Sequence, residues 1–386
     1  MSTVRGILEQ FFRQFEASFE IINSVELSKS ALLENFDLLK KLYRADHVIP
    51  VLKSNAYGHG MEHVLRMLEE REVPCIAVDS YHEALEVRAV SDYDVLVMGA
   101  VLPENFNKIE IRHAIYVIQD MSVLNVLTNS RRSIRIHLEF NTGLNRDGFE
   151  AGELKEIIAL LKDNAHIELE GVMTQFYDAA NPDQVATKSQ IRQFDEIVAQ
   201  IKKAGFDPEY IHISKSNGLT DSTSRFANTI RPGGGLFGIN VAPDDHPFFD
   251  QLEQLRPVLG LYSRVIKLRQ LAKGEGVSYG HTFKAERDML TAVMPVGYAE
   301  ALPRQLSNAG VLRHKTGDLP IIGQVAMNHT IVDASQSKLK LWDRVEVISP
   351  DRSRPNSIRQ LWKSHQLYPY EMLVGISDDI RRKIIK

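Results

Sequence analysis

A regular alternation of short apolar runs with helical patterns constrains the fold of this chain more than any other feature. Each run has the length and composition of a buried strand, and amphipathic segments separate most of the runs. The runs cover residues 49–53, 76–79, 95–98, 115–118, 134–140, 169–174, 210–213 and 229–231. Eight strand candidates within about two hundred residues predict an α/β fold with an N-terminal (β/α)8 barrel. A doubly wound open sheet is the alternative, but no dinucleotide-binding glycine motif follows the first run.

The pattern changes after about residue 256, where strand candidates follow one another with few helical segments between them. These candidates cover residues 259–268, 290–296, 319–325, 330–332 and 344–348. We therefore expect a barrel over residues 23–256 and a mostly β domain over residues 257–386. Before them, residues 1–22 form an N-terminal extension, in which 5–19 predict an amphipathic helix with an aromatic face. That helix either packs on its own molecule or its dimer partner, or docks another protein.

Composition narrows the class of protein. The chain has 386 residues, a net charge of −4 and 44% hydrophobic residues, as in a globular protein of two domains. We expect no nucleic-acid partner and no membrane partner, because no strongly basic segment and no bilayer-length apolar run is present. Cys75 is the single cysteine, which excludes a disulfide framework and a cysteine-built metal site, and we expect no metal. Without a secretory signal pattern, the expected location is the cytoplasm.

Lys53 ends the first apolar run and opens the octet Lys-Ser-Asn-Ala-Tyr-Gly-His-Gly, residues 53–60. A lysine at the mouth of a buried strand either extends into solvent or has a chemical task, such as bonding to a carbonyl cofactor. The octet resembles the lysine motif K-A-N-A-Y-G-H-G of the alanine racemase family and differs from it only at Ser54. Members of that family are pyridoxal 5'-phosphate (PLP) enzymes with a (β/α)8 barrel and a C-terminal β domain. The resemblance covers about residues 25–382 and implies PLP bound as a Schiff base on Lys53.

The resemblance also implies which residues hold the cofactor. The loops after strands seven and eight are the usual phosphate site of such barrels, and glycines there let backbone N–H groups approach an anion. By resemblance, the phosphate contacts fall on Tyr57, Ser216, Gly233 and Gly234. Arg231 matches the arginine that bonds the pyridine nitrogen, and His212 matches the histidine that supports it. From the residues alone, the glycines could be an ordinary turn and His212 a satisfied strand histidine.

A second group of residues matches the family's substrate site. Tyr279, in Val-Ser-Tyr-Gly, corresponds to a catalytic base supplied by the partner subunit, which implies a homodimer with shared active sites. Racemisation needs a base on each face of a planar carbon, so Lys53 and Tyr279 would each serve one enantiomer. A small amino acid is the implied substrate. The residues implied to contact it are Arg146, Tyr298, Met327 and Asn328, and Arg146 is also implied to contact the phenolate oxygen of the cofactor.

Several positions depart from the family pattern. Glu139 stands where many members have a carbamylated lysine, and we interpret it as a functional substitute that orients Arg146 through its negative charge. Asp378 aligns with a tyrosine that contacts the phosphate and narrows the side-chain pocket, so we expect it among the substrate residues. A smaller acidic residue there would admit a wider or more polar substrate. The remaining departures are Gln175, Lys215 and Asn328.

The sequence thus predicts an isomerase that interconverts L- and D-alanine, or a related small amino acid, with two bases. One alternative is a racemase for serine or for a broader, more polar substrate set. A decarboxylase of the same fold is disfavoured, because that chemistry favours an acidic partner on the pyridine nitrogen where this chain has Arg231. A non-catalytic PLP-binding protein is the last alternative, and Tyr279 argues against it because such a protein needs no second base.

Overall fold

The structure is a computed structural model that describes residues 20–106, 108–109, 113–130, 132–216, 218–220 and 224–386. The helix predicted over residues 5–19 lies outside the described residues. The described chain contains a parallel barrel followed by a region built mainly of antiparallel sheets. None of the described helices is both long and apolar enough to cross a membrane.

Parallel strands in sequential order confirm the predicted (β/α)8 barrel. They are β2 (His47–Val48), β3 (Ile76–Val78), β4 (Val95–Val97), β5 (Ala114–Ile118), β6 (Ile134–Glu139), β7 (Ile167–Met173), β8 (Tyr210–Lys215) and β9 (Thr229–Arg231). Neighbouring strands pair from β3 round to β9 and on to β2. Residues 49–52 close the ring beyond β2, because the N–H of Val51 donates to Pro232 O at 2.9 Å and that of Leu52 to Ala77 O at 2.8 Å. All the strand ends that precede βα loops therefore meet on one face of the barrel.

Helices surround the barrel and also pack at the end of the chain. They are α1 (Lys29–Tyr43), α2 (Met61–Leu68), α3 (Tyr81–Val90), α4 (Met121–Thr128), α5 (Leu154–Asp163), α6 (Val185–Lys203), α7 (Phe249–Leu252), α8 (Ile358–His365) and α9 (Pro369–Val374). Side chains cap several of them. Ser28 caps α1 by accepting from Ala31 N at 3.2 Å, and Ser80 forms a capping box with Glu83 at the start of α3.

The second region is mostly β, as predicted, and contains more strands than expected. They are β10 (Leu259–Arg264), β11 (Lys267–Leu271), β12 (Gly276–Val277), β13 (Phe283–Lys284), β14 (Met289–Met294), β15 (Val311–His314), β16 (Gly317–Pro320), β17 (Thr330–Asp333), β18 (Arg344–Ile348) and β19 (Arg381–Ile385). The single run predicted over residues 259–268 is two strands, β10 and β11, which lie in different sheets. Residues 321–325, predicted as strand, contribute only a bridge at Ile321.

One segment within the range predicted for the barrel, residues 23–256, lies instead in the C-terminal sheet. Residues Ser24–Ser28 form strand β1, which pairs antiparallel with β10 and parallel with β19 in the C-terminal sheet. Its assignment to the barrel is therefore corrected. The alternation of buried Val25 and Leu27 with less buried neighbours shows a half-buried strand, but such a pattern does not specify the sheet that the strand joins.

Candidate active site

A cavity of about 690 Å³ opens where the barrel strands end. Its lining brings together residues that lie far apart in sequence, from Val51 to Tyr370. Many of the residues predicted to bind the cofactor lie in this lining, namely Lys53, Tyr57, Arg146, Ser216, Arg231, Gly233 and Gly234. His212 lies behind the lining and contacts Arg231.

Lys53 begins a left-handed turn that directs its side chain into the cavity. The next four residues, 54–57, all have φ between 51° and 54°, a conformation that costs L-residues about 1–2 kcal/mol each. Side chains hold the turn in place. The Ser54 N–H donates to Glu83 Oε1 at 2.6 Å, and Asn55 Oδ1 accepts from Met61 N at 2.6 Å. The strain is thus offset by contacts with α2 and α3.

Asp79 and Glu83 join this turn to the loop after the next strand. The Lys53 Nζ atom lies 3.1 Å from Asp79 Oδ1, and Glu83 Oε2 accepts from Asp79 N at 2.7 Å. Glu83 therefore bridges the Lys53 turn and the Asp79 loop with its two carboxylate oxygens. Sequence reasoning missed both residues, although Asp79 ends a predicted strand and Ser-x-x-Glu is a helix-start signal.

Glycines and hydroxyl groups form a cradle at one side of the cavity. Ser216 Oγ accepts from Gly233 N at 3.0 Å and from Gly235 N at 2.9 Å, which leaves its own proton free to donate. A Cβ atom on Gly233 would overlap the Tyr57 hydroxyl, and one on Gly234 would overlap the Tyr370 hydroxyl. Two phenol groups therefore lie directly against the glycine backbone.

Both phenols are protonated at neutral pH. Burial, together with the charges of Asp79 and Glu83, raises the pKa of Tyr57 to about 12, and burial also raises the pKa of Tyr370. The cradle thus offers neutral O–H donors beside glycine backbone, a donor set that suits a phosphate group. These residues fit the phosphate end of PLP.

Arg231 is a buried cation in the wall of the cavity, with only 3% of its surface exposed. It donates to His212 Nδ1 at 2.6 Å, to Thr174 O at 2.9 Å and to Gln175 Oε1 at 3.0 Å. Burial lowers its pKa to about 10, so the guanidinium remains protonated at neutral pH. A fixed cation with donors remaining suits an unprotonated ring nitrogen as its partner.

Glu139 and Arg146 both line the cavity, and each makes its hydrogen bond to a different partner. Glu139 accepts from Gln119 Nε2 at 2.9 Å, whereas Arg146 Nε donates to Asp147 Oδ2 at 2.6 Å. Burial raises the pKa of Glu139, and the Gln119 hydrogen bond and the charges of Arg231 and Arg146 oppose that shift. Glu139 therefore acts on Arg146 as a nearby charge.

The predicted residues of the C-terminal region lie on its surface. Tyr279 is 74% exposed, Met327 56% and Tyr298 45%, and within the described chain none of them lines this cavity. Backbone hydrogen bonds join the Tyr298 segment to the Met327 segment, and the side chain of Asn328 donates to Glu300 Oε1 at 2.7 Å. A single chain therefore does not bring these residues to Lys53.

Asp378, which the sequence predicts among the substrate residues, lies beside the turn that follows Lys53. Its carboxylate accepts from Asn55 Nδ2 at 2.5 Å and its side chain is 78% exposed, outside the described lining of the cavity. The tyrosine beside the glycine cradle is Tyr370, in α9. Sequence reasoning missed Tyr370.

Comparison with known proteins agrees with this architecture. Residues 27–241 match the family model of the alanine racemase N-terminal domain, and residues 258–384 match that of the C-terminal domain. An alanine racemase of Sorangium cellulosum is 34% identical over 298 residues, which are 74% of this chain and 76% of that protein. One of Staphylococcus saprophyticus is 31% identical over 365 residues, 93% of each chain.

Solved structures of similar fold cover nearly the whole chain. The Bacillus anthracis alanine racemase with bound L-Ala-P is 25% identical and has a TM-score of 0.85 over 95% of this chain and 96% of its own. The Bartonella henselae alanine racemase with covalently bound pyridoxal phosphate has a TM-score of 0.82 at 20% identity, over 95% of this chain and 100% of its own. With both domain models matched in order over 27–384, this chain belongs to the alanine racemase family.

Proposed function

We propose that this protein is a PLP-dependent isomerase that interconverts L- and D-alanine. The observation that carries the proposal is the convergence of three groups in one cavity: the Lys53 amine, the Ser216–glycine cradle and the buried Arg231 guanidinium. An amine, an anion site and a fixed cation are the three contacts that an aldehyde cofactor with a phosphate and a ring nitrogen requires. Membership of the alanine racemase family supports alanine as the substrate.

The residues of the cavity would hold PLP at three points. Lys53 would bond covalently to its carbonyl carbon, and Arg231 would donate to its ring nitrogen. Its phosphate would be bound by the backbone and hydroxyl groups of Tyr57, Ser216, Gly233, Gly234 and Tyr370. When bound, PLP supplies an electron sink that acidifies the α-hydrogen of an attached amino acid. Arg231, which retains its proton at neutral pH, would donate to the ring nitrogen and disfavour protonation of that nitrogen.

Two bases would move the proton at the α-carbon. Lys53 Nζ would act on one face, and Tyr279 Oη on the other. Tyr279 is 74% exposed and lies outside the described lining of its own chain's cavity. We therefore propose a homodimer in which each chain supplies Tyr279, with Tyr298, Met327 and Asn328, to the cavity of its partner.

Arg146 would bind the substrate carboxylate. Its Nε atom is engaged by Asp147, which leaves the two terminal nitrogens directed away from that contact. Such an end-on pair matches the geometry of a carboxylate. Asp147 would thus orient Arg146 and partly offset its positive charge.

Proton exchange at the α-carbon tests this function directly. The PLP-loaded protein is incubated in D2O with L-alanine or D-alanine, and deuterium content and chirality at the α-carbon are both measured. We expect deuteration with inversion from either enantiomer. Lys53→Ala abolishes exchange, whereas the control Lys155→Ala, on the exposed side of α5, leaves it unchanged.

Two outcomes would contradict the proposal. Deuteration without inversion would show that one base operates and that Tyr279 is not the second. PLP bound on Lys53, established by borohydride reduction and peptide mapping, without any exchange would identify a carrier protein. Because the protein is loaded with PLP before the incubation, neither result depends on how fast the cofactor binds.

A further inference from the structure

Arg231 is a buried cation that is held by neutral partners. Its hydrogen bonds go to an imidazole nitrogen of His212, to the Thr174 carbonyl and to the Gln175 amide oxygen. Among the described residues it makes no ion pair with a carboxylate, and Glu139 influences it only as a charge at longer range. A buried charge without a counter-ion depends on dipoles that point at it correctly. The orientation of His212 is therefore part of what stabilises the guanidinium.

The positions of the protons follow from Arg231. A guanidinium has only donors, so His212 Nδ1, 2.6 Å away, must accept with its lone pair. The remaining nitrogen, His212 Nε2, must then carry the imidazole proton. It lies 2.7 Å from His137 Nδ1, which must accept in turn. The proton of His137 consequently sits on its Nε2, a buried atom without a hydrogen-bond partner among the described residues.

We propose that His137 is a positioning residue for Arg231: by accepting the His212 Nε2 proton, it keeps the His212 Nδ1 lone pair on the guanidinium. The three side chains come from β6, β8 and β9, so this series of hydrogen bonds links three strands of the barrel. His137 must accept the proton of His212 Nε2. In the other tautomer of His212, the proton would be on Nδ1 and would face the donors of Arg231. Aligned neutral dipoles of this kind polarise one another.

The environment of both imidazoles agrees with neutral rings. Both residues are fully buried, and burial, with the charge of Arg231 as the next cause, lowers the pKa of His137 to about 3 and that of His212 well below its ordinary value. A Cβ atom on Gly171 would lie 2.6 Å from the His137 ring, so the ring is confined from that side. The unpartnered His137 Nε2 is a cost that a purely apolar side chain would avoid. This cost is explained if the other ring nitrogen, His137 Nδ1, is needed to accept from His212.

The test compares two substitutions that separate hydrogen bonding from packing. His137→Asn places an amide oxygen near the position of Nδ1 and retains an acceptor, whereas His137→Leu fills similar volume and provides none. Histidine-selective 15N NMR of the PLP-loaded wild-type protein is expected to show His212 protonated at Nε2 and bare at Nδ1, with the Nε2 proton protected from solvent exchange. His137→Asn retains that signal, and His137→Leu loses it.

The catalytic consequence rests on the proposed function. His137→Leu lowers kcat for racemisation about tenfold with KM changed less than about twofold, whereas His137→Asn stays within about twofold of wild type in both. Equal kcat values for the two variants, or a wild-type His212 protonated at Nδ1, would overturn the proposal. The wild-type NMR measurement decides even if His137→Leu does not fold. Absence of racemisation in wild type would count against the proposed function alone, because the tautomer is measured without turnover.

Discussion

At the scale of single residues, Gly233 illustrates how the cradle depends on the absence of a side chain. A Cβ atom on this residue would overlap the hydroxyl of Tyr57, a residue that lines the cavity. Tyr57 in turn packs at a ring distance of 5.6 Å from Tyr370 and 5.7 Å from Phe237, so it has little space to withdraw. The side chain of Tyr57 therefore leaves no room for a larger residue at position 233.

A Gly233→Ala substitution is expected to weaken PLP binding about tenfold. Overpacking at a confined site costs about 1–3 kcal/mol, and here it displaces a hydroxyl that would bind the phosphate. Equilibrium titration of the apoprotein with PLP, followed by absorbance, measures the change. The matched control is Gly152→Ala, because a Cβ atom there would meet nothing within 4 Å. Equal affinities for the two variants would show that Tyr57 moves aside freely.

At the scale of elements, the left-handed turn after Lys53 and helix α3 form one unit. The turn is unfavourable by itself, and Glu83 stabilises it by accepting from Ser54 N while also accepting from Asp79 N and, at 3.2 Å, from Ser80 N. A carboxylate is suited to this position because both of its oxygens accept. The Lys53 amine is consequently positioned by a helix that follows it by more than twenty residues.

Glu83→Gln is expected to destabilise the protein by about 1–3 kcal/mol, because the new amide NH2 would face a backbone N–H that loses its acceptor. Urea unfolding of the variant measures the change in the free energy of unfolding. Glu86→Gln provides the control on the same helix, since Glu86 is half exposed and lies 3.5 Å from His82, a surface pair of little energetic value. A Glu83→Gln protein as stable as the Glu86→Gln protein would refute the bridging role.

At the scale of the whole molecule, the proposed dimer follows from the separation of the two proposed bases within one chain. The cavity holds Lys53 and Arg231, whereas Tyr279 projects from the surface of the C-terminal region. Large side chains as exposed as those of Tyr279, Met327 and Tyr298 are typical of a surface that a partner covers. A two-fold dimer would bring each such surface to the other chain's cavity.

Complementation between inactive variants tests this arrangement. Lys53→Ala and Tyr279→Phe proteins are each expected to lack racemisation. After unfolding and refolding together in equal amounts, they should recover about a quarter of wild-type activity, because half of the dimers would be mixed and each mixed dimer has one intact site of two. No recovery, with mixed dimers present by mass spectrometry, would show that both bases come from one chain.

The sequence by itself determined the barrel, the mostly β second region and several residues of the cavity wall, but not Asp79 or Tyr370. Strand and helix periodicities are local, and the loop positions of Lys53, Ser216 and Gly233 follow once the strands are located. The octet at Lys53 adds a specific local signal. These features require no knowledge of which distant segments touch.

Tertiary structure alone decided the contacts between segments that are far apart in sequence. It placed β1 in the C-terminal sheet, put Tyr370 rather than Asp378 at the cradle, and bonded His137 to His212. A half-buried strand is compatible with either sheet. Tyr370 lies at the cradle because it belongs to α9, whereas Asp378 follows that helix. Strand order and register determine which side chains form hydrogen bonds across a barrel. The amino-acid pattern of a single strand does not reveal that order or register.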